Sequence, residues 1–306
     1  MSAASYSNAT MTTPGWNRLR KVFRLRGWPG VMLIVVLAYI MAALLGSLGW
    51  PDEDWTRRAG PSFAPPSWEH WFGTDRLGRS VALKTWLGAR LSVIISCGGA
   101  AIAVGTGLLL GMLAGWRRGW VDALVIWLCT TLSTVPRLLL LLALSLLLRE
   151  QSIFGVSLHG APAMLLALGL TGWVGVCQVV RAEMIKLGSL PFILAARALG
   201  ASSFGIARRH ALPHLTHLIL VEFGLRVAGF IGAEVSLSFL GLGPVDQPSW
   251  GTMLEEARIE TGQHVWWQMT ASFAAVLLFS TAVHEVSDAL RDVLDPRRAP
   301  EPGSER

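Results

Sequence analysis

Charged residues are scarce in this chain. Of its 306 residues only 15% are Asp, Glu, Lys or Arg, whereas 52% are hydrophobic and the mean hydropathy is +0.49. A water-soluble domain of this length needs a larger polar surface to cover its core. The shortage of charge therefore excludes an ordinary soluble protein and predicts a polytopic membrane protein. The net charge of +6 favours cytoplasmic loops close to anionic membrane lipids and argues against nucleic acid as a partner.

Cysteines and catalytic motifs are also sparse. Cys97, Cys129 and Cys177 lie inside apolar segments, and none belongs to a Cys-x-x-Cys pair, so we expect them to be small buried hydrophobic residues. The sequence has no HExxH, GxSxG or Walker GxxxxGK[ST] motif, which argues against an intramembrane protease and against ATP hydrolysis by this chain. We therefore predict a protein that is not an enzyme and that holds no metal or cofactor of its own.

Long apolar segments recur along the chain, and a helix needs about 20 such residues to cross a bilayer. We predict six crossing helices and an all-α fold. Their positions are residues 31–50, 91–116, 120–148, 157–180, 215–243 and 266–283. The first segment could also be a signal peptide, because basic residues precede it, although it is longer than a signal core and lacks a clean small-x-small cleavage site.

The predicted spans divide the chain into three parts. Residues 1–29 form a basic tail, residues 30–295 hold the six helices, and residues 296–306 form a second tail that contains Pro and Gly. Cytoplasmic segments of membrane proteins carry more Lys and Arg than external ones. Placing both tails in the cytoplasm satisfies this rule, so the polar segment 181–213 is predicted to be cytoplasmic as well.

The second and third spans have distinctive residues. Gly107, Gly111 and Gly115 follow one another at four-residue intervals, and small residues at this spacing let helices approach closely in lipid. We therefore expect the second helix to be buried among its neighbours. Ser-Thr-Val-Pro-Arg at residues 133–137 interrupts the third span and predicts a kink. Arg137 either reaches back to the membrane surface or faces a water-filled path.

The fifth span carries ionisable residues. Glu222 and Arg226 are one helical turn apart, and Glu234 stands nearer the far end. Such residues are costly in lipid, so they either line a path or neutralise each other as a structural pair. The path interpretation predicts one face towards water: Glu222, Arg226, Gly229 and Ala233. A second face, about 200° away, is predicted to pack against a neighbouring helix: Gly224, Ala228, Gly232 and Ser236.

Residues 181–213 form a polar, basic segment between two apolar ones. Its apolar residues recur at helical spacing, Gly200 is placed for a left-handed turn, and Ser202 or Ser203 can cap a short second helix. This second helix is expected to end before Pro213. One interpretation is a surface loop held to anionic lipid headgroups by its basic residues: Arg197, Arg208, Arg209 and His210.

A more specific interpretation comes from a family resemblance. The segment resembles the EAA loop of ABC importer permeases, which docks onto the ATPase subunit. Five residues carry the match: Ala195, Ala196, Gly200, Leu212 and Pro213. The run AEVSLSFLGLGPVDQPSWGTML (233–254) and the run FGTDRLGR (72–79) resemble signatures of the C-type permeases of dipeptide, oligopeptide and nickel importers. Two residues depart from the family pattern, because Leu194 and Ser80 stand where acidic residues are usual.

The resemblance implies a type I ABC importer permease fold in a bacterial inner membrane. It also implies four kinds of partner: a homologous B-type permease, two ABC ATPase subunits that bind ATP, an extracytoplasmic substrate-binding protein, and membrane lipids. The chain would then form half of a translocation path for peptides or related small solutes, with the EAA-like loop coupling it to ATP hydrolysis. Nickel chelates, glutathione-like compounds, or a permease-like exporter or receptor without a binding protein are the alternatives.

Two outer segments complete the sequence-based predictions. Residues 51–90 mix turn formers, aromatic residues and charges, which predicts an ordered loop rather than a linker. Residues 244–264 are expected to form a compact lid that faces the binding protein, with Trp250 as an aromatic anchor. The predicted docking residues are Pro248, Ser249, Trp250 and Gly251.

Overall fold

The structure is a computed structural model that describes residues 27–51, 54–153, 155–244 and 246–294. Most of the predicted N-terminal tail and the whole predicted C-terminal tail lie outside these residues. The helices are α1 (Trp28–Ser47), α2 (Val81–Arg117), α3 (Trp120–Thr134), α4 (Arg137–Arg149), α5 (Ala161–Leu187), α6 (Pro191–Ala198), α7 (Ser203–Ile206), α8 (Leu212–Phe239), α9 (Trp250–Thr261) and α10 (Trp267–Leu294). The predicted all-α class is confirmed.

Two short irregular elements accompany the helices. A π-helical segment, Ala207–Ala211, joins α7 to α8. Strands β1 (Ser152–Ile153) and β2 (Val156–Ser157) form an antiparallel hairpin in the α4–α5 connection, with Ser152 opposite Ser157.

Four helices of the described chain are long and apolar enough to cross a membrane, namely α1, α2, α5 and α10. The bent pair of α3 and α4 gives a fifth if it is taken as one span. The remaining predicted span, the fifth, is α8, a helix of 28 residues that contains Glu222, Arg226 and Glu234. Its length suits a bilayer crossing, but its charges set it apart from the others. The count of six spans therefore stays a prediction.

The closest helix packing is between α2 and α5, and it depends on the glycine stripe of α2. A Cβ atom added at Gly107 would lie 2.6 Å from Val176 Cβ, and one at Gly115 would lie 2.6 Å from Met184 Cβ. The same atom at Gly111 would lie 2.6 Å from the carbonyl oxygen of Cys177. No side chain fits at these positions without a shift. The predicted burial of the second span is thus confirmed.

The break at residues 133–137 is much sharper than a kink. Helix α3 ends at Thr134, Val135 is extended with φ −87° and ψ 130°, and α4 begins directly after Pro136. The two helices meet at 96°. A residue before proline is pushed out of the helical region, and proline has no N–H to continue the helix. These two effects together turn the third predicted span into two half-length helices.

Residues 54–80 form an ordered loop, as predicted, but residues 81–90 of the predicted loop belong to α2, which begins at Val81. The side chain of Asp75 accepts hydrogen bonds from the backbone N–H groups of Leu77 and Arg79, both at 2.9 Å, and Thr74 Oγ1 donates to the carbonyl oxygen of Pro61 at 2.6 Å. Ser80 then acts as the N-cap of α2. The serine that replaces the family's acidic residue therefore keeps a helix-capping role.

The core lies where α2, α5, α8 and α10 meet. Phe230 of α8 is fully buried and occupies the space that Gly99 of α2 and Gly172 of α5 leave open. On another side of α8, Gly224 lies against Ser287 of α10. The Phe230 ring is closely packed against these glycines, and this packing fixes the position of α8 between its neighbours.

Candidate functional site

The segment between α5 and α8 is a compact pair of short helices. Helix α5 continues to Leu187, so the connection to α8 begins at Gly188. We call residues 188–211 the coupling loop, after the role that the family resemblance predicts for this segment. Helix α6 ends at Ala198, and Gly200 follows with φ +81°. The N–H of Ala201 donates to the carbonyl oxygen of Ala196 at 3.0 Å, which closes the turn. The predicted left-handed turn at Gly200 is confirmed.

The second part of the coupling loop differs from the prediction. Ser202 Oγ accepts a hydrogen bond from Gly205 N at 3.1 Å and so caps α7. Helix α7 then runs through Ala207–Ala211 directly into α8, and Leu212 is fully helical at φ −59° and ψ −45°. The predicted helix end before Pro213 is therefore wrong. The change from π-helical to α-helical bonding places Pro213 in the first turn of α8, where a missing N–H is tolerated.

The coupling loop is attached to the body of the protein at defined points. Ile193 is fully buried, and the Arg197 guanidinium lies 4.5 Å from the ring centroid of Trp116 at the end of α2. Phe192 and His210 have ring centroids 6.0 Å apart, which holds α6 against the π-helical segment. A loop with these contacts is an ordered part of the protein rather than a linker.

The outer surface of the coupling loop is apolar and basic. Leu199 is 88% exposed, and Leu194 and Phe192 are each about half exposed. Of the five residues matched to the EAA loop, only Ala196 is partly covered, while the others are exposed: Ala195, Gly200, Leu212 and Pro213. Exposed leucines on a fixed loop are typical of a protein interaction surface.

The predicted path residues meet around α8. Arg226 Nη2 donates to Glu222 Oε2 at 3.1 Å, so the i, i+4 pair forms. Arg137, the first residue of α4, places its guanidinium 5.5 Å from the centroid of Phe230. Gly175 of α5 faces Arg226, because a Cβ atom there would lie 2.8 Å from Nη2. Their role in a path stays a prediction, but the structure brings Arg137, Glu222 and Arg226 to one region.

The two predicted faces of α8 are not separated as expected. Gly224 packs against α10 and Ala228 is buried, as the packing face requires. Gly232 of the same face is open, with no atom within 4 Å of an added Cβ, and so is Gly229 of the path face. Ala233, predicted to face the path, is only 8% exposed. The α8 helix is therefore open along a strip that contains both Gly229 and Gly232.

The predicted docking lid is largely interior. Trp250 is fully buried, and its indole N–H donates to the carbonyl oxygen of Thr85 at 3.0 Å. Its ring packs edge-on against Tyr39 at 5.4 Å and in a tilted arrangement against Phe279 at 5.9 Å. The other three docking candidates are also buried: Pro248, Ser249 and Gly251. The prediction of Trp250 as a docking anchor is wrong in this structure, because the indole closes the core between α1, α2 and α10.

A buried carboxylate explains why this segment folds inwards. Glu234 of α8 is fully buried and accepts hydrogen bonds from Ser249 Oγ at 2.7 Å, Ser238 Oγ at 3.2 Å and Ser92 Oγ at 3.3 Å. Gly251 leaves room for it, since a Cβ atom there would lie 2.6 Å from Glu234 Oε1. Ser249 also caps α9 with Thr252 in a reciprocal capping box.

A buried ion cluster, which the sequence did not reveal, lies beside the lid. Lys84 is 1% exposed and contacts Asp75 Oδ2 at 3.0 Å and Glu256 Oε2 at 2.5 Å. Glu260, at the end of α9, accepts from the backbone N–H of Arg76 at 3.0 Å. Burial raises the pKa of the Glu260 carboxyl. The cluster fixes α9 to the ordered loop and to α2.

A cavity of about 240 Å³ opens beside this cluster, and its lining includes Lys84, Glu255 and Glu256. Within the described residues there is no group of three or more His, Cys, Asp or Glu side chains arranged to hold a metal ion.

The long apolar helices and the exposed helical loop between two of them define a multi-pass α-helical membrane protein. Residues 107–300 match the family described as "Binding-protein-dependent transport system inner membrane component". The chain belongs to this family of inner-membrane transport permeases.

Curated relatives agree with that assignment. The chain is 32% identical to the dipeptide transport system permease protein DppC of Bacillus subtilis, over 94% of this chain and 86% of the relative. It is 32% identical to the oligopeptide transport system permease protein OppC of Bacillus subtilis, over 87% of this chain and 84% of the relative. It is also 32% identical to the glutathione transport system permease protein GsiD of Pectobacterium atrosepticum, over 87% of this chain.

Proposed function

We propose that this chain is the C-type permease subunit of an ATP-driven importer for peptides or related small solutes. It forms half of the translocation path, together with a homologous B-type permease. Two ABC ATPase subunits bind and hydrolyse ATP on the cytoplasmic side, and an external binding protein delivers the substrate. The chain itself performs no catalysis. Family membership and the names of the peptide-permease relatives support this function.

The coupling loop is the observation that carries the proposal. It presents Leu199, Leu194 and Phe192 outwards while Ile193 and Arg197 hold it to the body. A surface of this kind can receive an ATPase and pass its movement on. We place the loop and both chain termini in the cytoplasm, in agreement with the distribution of Lys and Arg. Movement of the loop would tilt the spans and open the path first outwards and then inwards.

Replacing Gly200 by Val tests the coupling role. A β-branched residue at φ +81° is strained by about 1–2 kcal/mol, which changes the angle between α6 and α7. We expect the variant to insert and assemble normally but to import a labelled alanine dipeptide about tenfold more slowly. ATPase activity stimulated by the loaded binding protein should fall with it. The measurement uses the complete transporter in proteoliposomes.

Gly49→Val is the matched control for this experiment. Gly49 also has positive φ, at +83°, and also has no atom within 4 Å of an added Cβ, but it follows α1 and is far along the chain from the coupling loop. Its variant should transport at the wild-type rate. Normal transport and normal ATPase stimulation in Gly200→Val would show that the loop has another role.

A further inference from the structure

Two arginines and one glutamate lie around residues 222–230 of α8. Arg137 lies over Phe230, which is one helical turn beyond Arg226 on α8, and one carboxylate, that of Glu222, pairs with Arg226 at 3.1 Å. In the described part of the chain Arg137 makes no salt bridge. Its guanidinium instead lies over the ring of Phe230 at 5.5 Å. Two guanidiniums and one carboxylate leave a net positive charge among apolar helices.

The hydrogen-bonding capacity of Arg226 is also incompletely used. Its Nε is buried and has no hydrogen-bond partner among the described residues. Arginine has five N–H donors in a planar fork, and a buried donor without a partner costs free energy. Gly175 lets the guanidinium lie close against α5, since a Cβ atom there would lie 2.8 Å from Nη2. The Arg226 side chain is nevertheless 25% exposed.

A carboxylate of the transported molecule would balance this positive charge and could bond to the exposed part of the Arg226 side chain. Carboxylates accept paired hydrogen bonds from guanidinium groups, and such charge-assisted bonds are about twice as strong as neutral ones. A cation in a membrane-spanning region needs either water or an anion near it. We propose that Arg137 and Arg226 form an anion-accepting point on the translocation path, which takes the free carboxylate of the substrate. Glu222 is a positioning residue that holds Arg226.

This inference rests on the proposed function and narrows its substrate class to molecules with a free carboxylate. A purely structural role would predict something different. Arg137 would then serve only as a cation over the Phe230 ring, and a neutral residue of similar length would replace it without a selective effect on substrates. Arg226 would serve only as the partner of Glu222.

The test measures uptake by the complete transporter in proteoliposomes with two probes, L-alanyl-L-alanine and its C-terminal amide. Each variant is compared with the wild type on the same probe, so the preference of the binding protein cancels. Arg137→Gln and Arg226→Gln should import the free acid about tenfold more slowly and the amide within about twofold of the wild-type rate. Arg137→Lys, which keeps the charge, should recover most of the free-acid rate.

Two controls accompany these variants. Arg149→Gln removes a partly buried arginine at the other end of α4, where it bonds to His159, and should change neither rate. Size exclusion of the purified transporter shows whether Arg137→Gln and Arg226→Gln are folded and assembled, and basal ATPase activity should be unchanged in Arg149→Gln.

Equal losses for the acid and the amide, or a normal free-acid rate in both Gln variants, would overturn the anion-accepting point and leave the proposed function intact. A wild-type transporter that imports neither probe, together with a binding protein that binds neither, would instead refute the peptide assignment and the inference with it.

Discussion

Trp250→Ala should destabilise the protein strongly. Trp250 is fully buried, packs against Tyr39 and Phe279, and donates to Thr85 O at 3.0 Å. Truncation of a buried tryptophan costs about 3–5 kcal/mol, and the lost hydrogen bond adds about 1 kcal/mol. At about 2–4 °C per kcal/mol for a chain of this size, the apparent Tm should fall by about 10 °C or more.

The assay heats the detergent-purified transporter and measures the fraction that remains monodisperse by size exclusion. Trp68→Ala is the matched control, because Trp68 lies in the ordered outer loop but is 95% exposed. It should leave the Tm within about 1–2 °C of the wild type. A Trp250→Ala protein with wild-type Tm and weakened binding-protein docking would refute this reasoning and restore Trp250 as a docking anchor.

Two further predictions concern packing and pH. Gly111→Val places a side chain against Cys177 O and Val180 and should lower the free energy of unfolding by about 1–3 kcal/mol. Gly105→Val is the control, because Gly105 is on the same helix but has no atom within 4 Å of an added Cβ, and its effect should be small. Equal Tm values for the two variants would contradict the close α2–α5 contact. Burial raises the pKa of Glu260 above its usual 4.5, so the folded state holds this proton more tightly than the unfolded chain does. The free energy of unfolding therefore falls as the pH rises from about 4.5 through the raised pKa. A Tm–pH profile of Glu260→Gln should show a smaller fall than the wild type over this range, and identical profiles would contradict the raised pKa.

The features predicted from the sequence are local ones. The turn at Gly200 follows from a glycine just after a helical pattern, and the glycine stripe of α2 shows directly in its four-residue spacing. The break at Pro136 follows from the chemistry of one residue. Each depends on neighbours within about one helical turn, so the sequence contains the whole signal.

The features that sequence reasoning missed depend on contacts between distant parts of the chain. The N–H of Trp250 meets Ser92, which is 158 residues away, and Lys84 meets Glu256 across 172 residues. A Trp in a segment that contains Pro and Gly is expected to be exposed, because the sequence does not show which distant residues surround its side chain. One signal was available, since Glu234 in an apolar span with Ser92 in another required buried partners.

The prediction of two separate faces on α8 was wrong for a different reason. Ideal helical geometry places Gly229 and Gly232 on different predicted faces, but it does not say how wide an open strip is. Neighbouring helices cover Ala233 and leave both glycines clear. The width of the uncovered strip is set by where α5 and α10 pack, which the sequence of α8 alone does not contain.

Helix α8 is fixed at both ends to the parts that the proposed function needs. At one end the π-helical segment makes it continuous with α7, so no hinge separates it from the coupling loop. At the other end Glu234 ties it to Ser249 and hence to α9. Under the proposed function, a rotation imposed on the coupling loop would therefore be carried along α8, past Arg226, to the outer segment. Because an α-helix is stiff along its axis, the anion-accepting point and the outer lid would respond to the same movement.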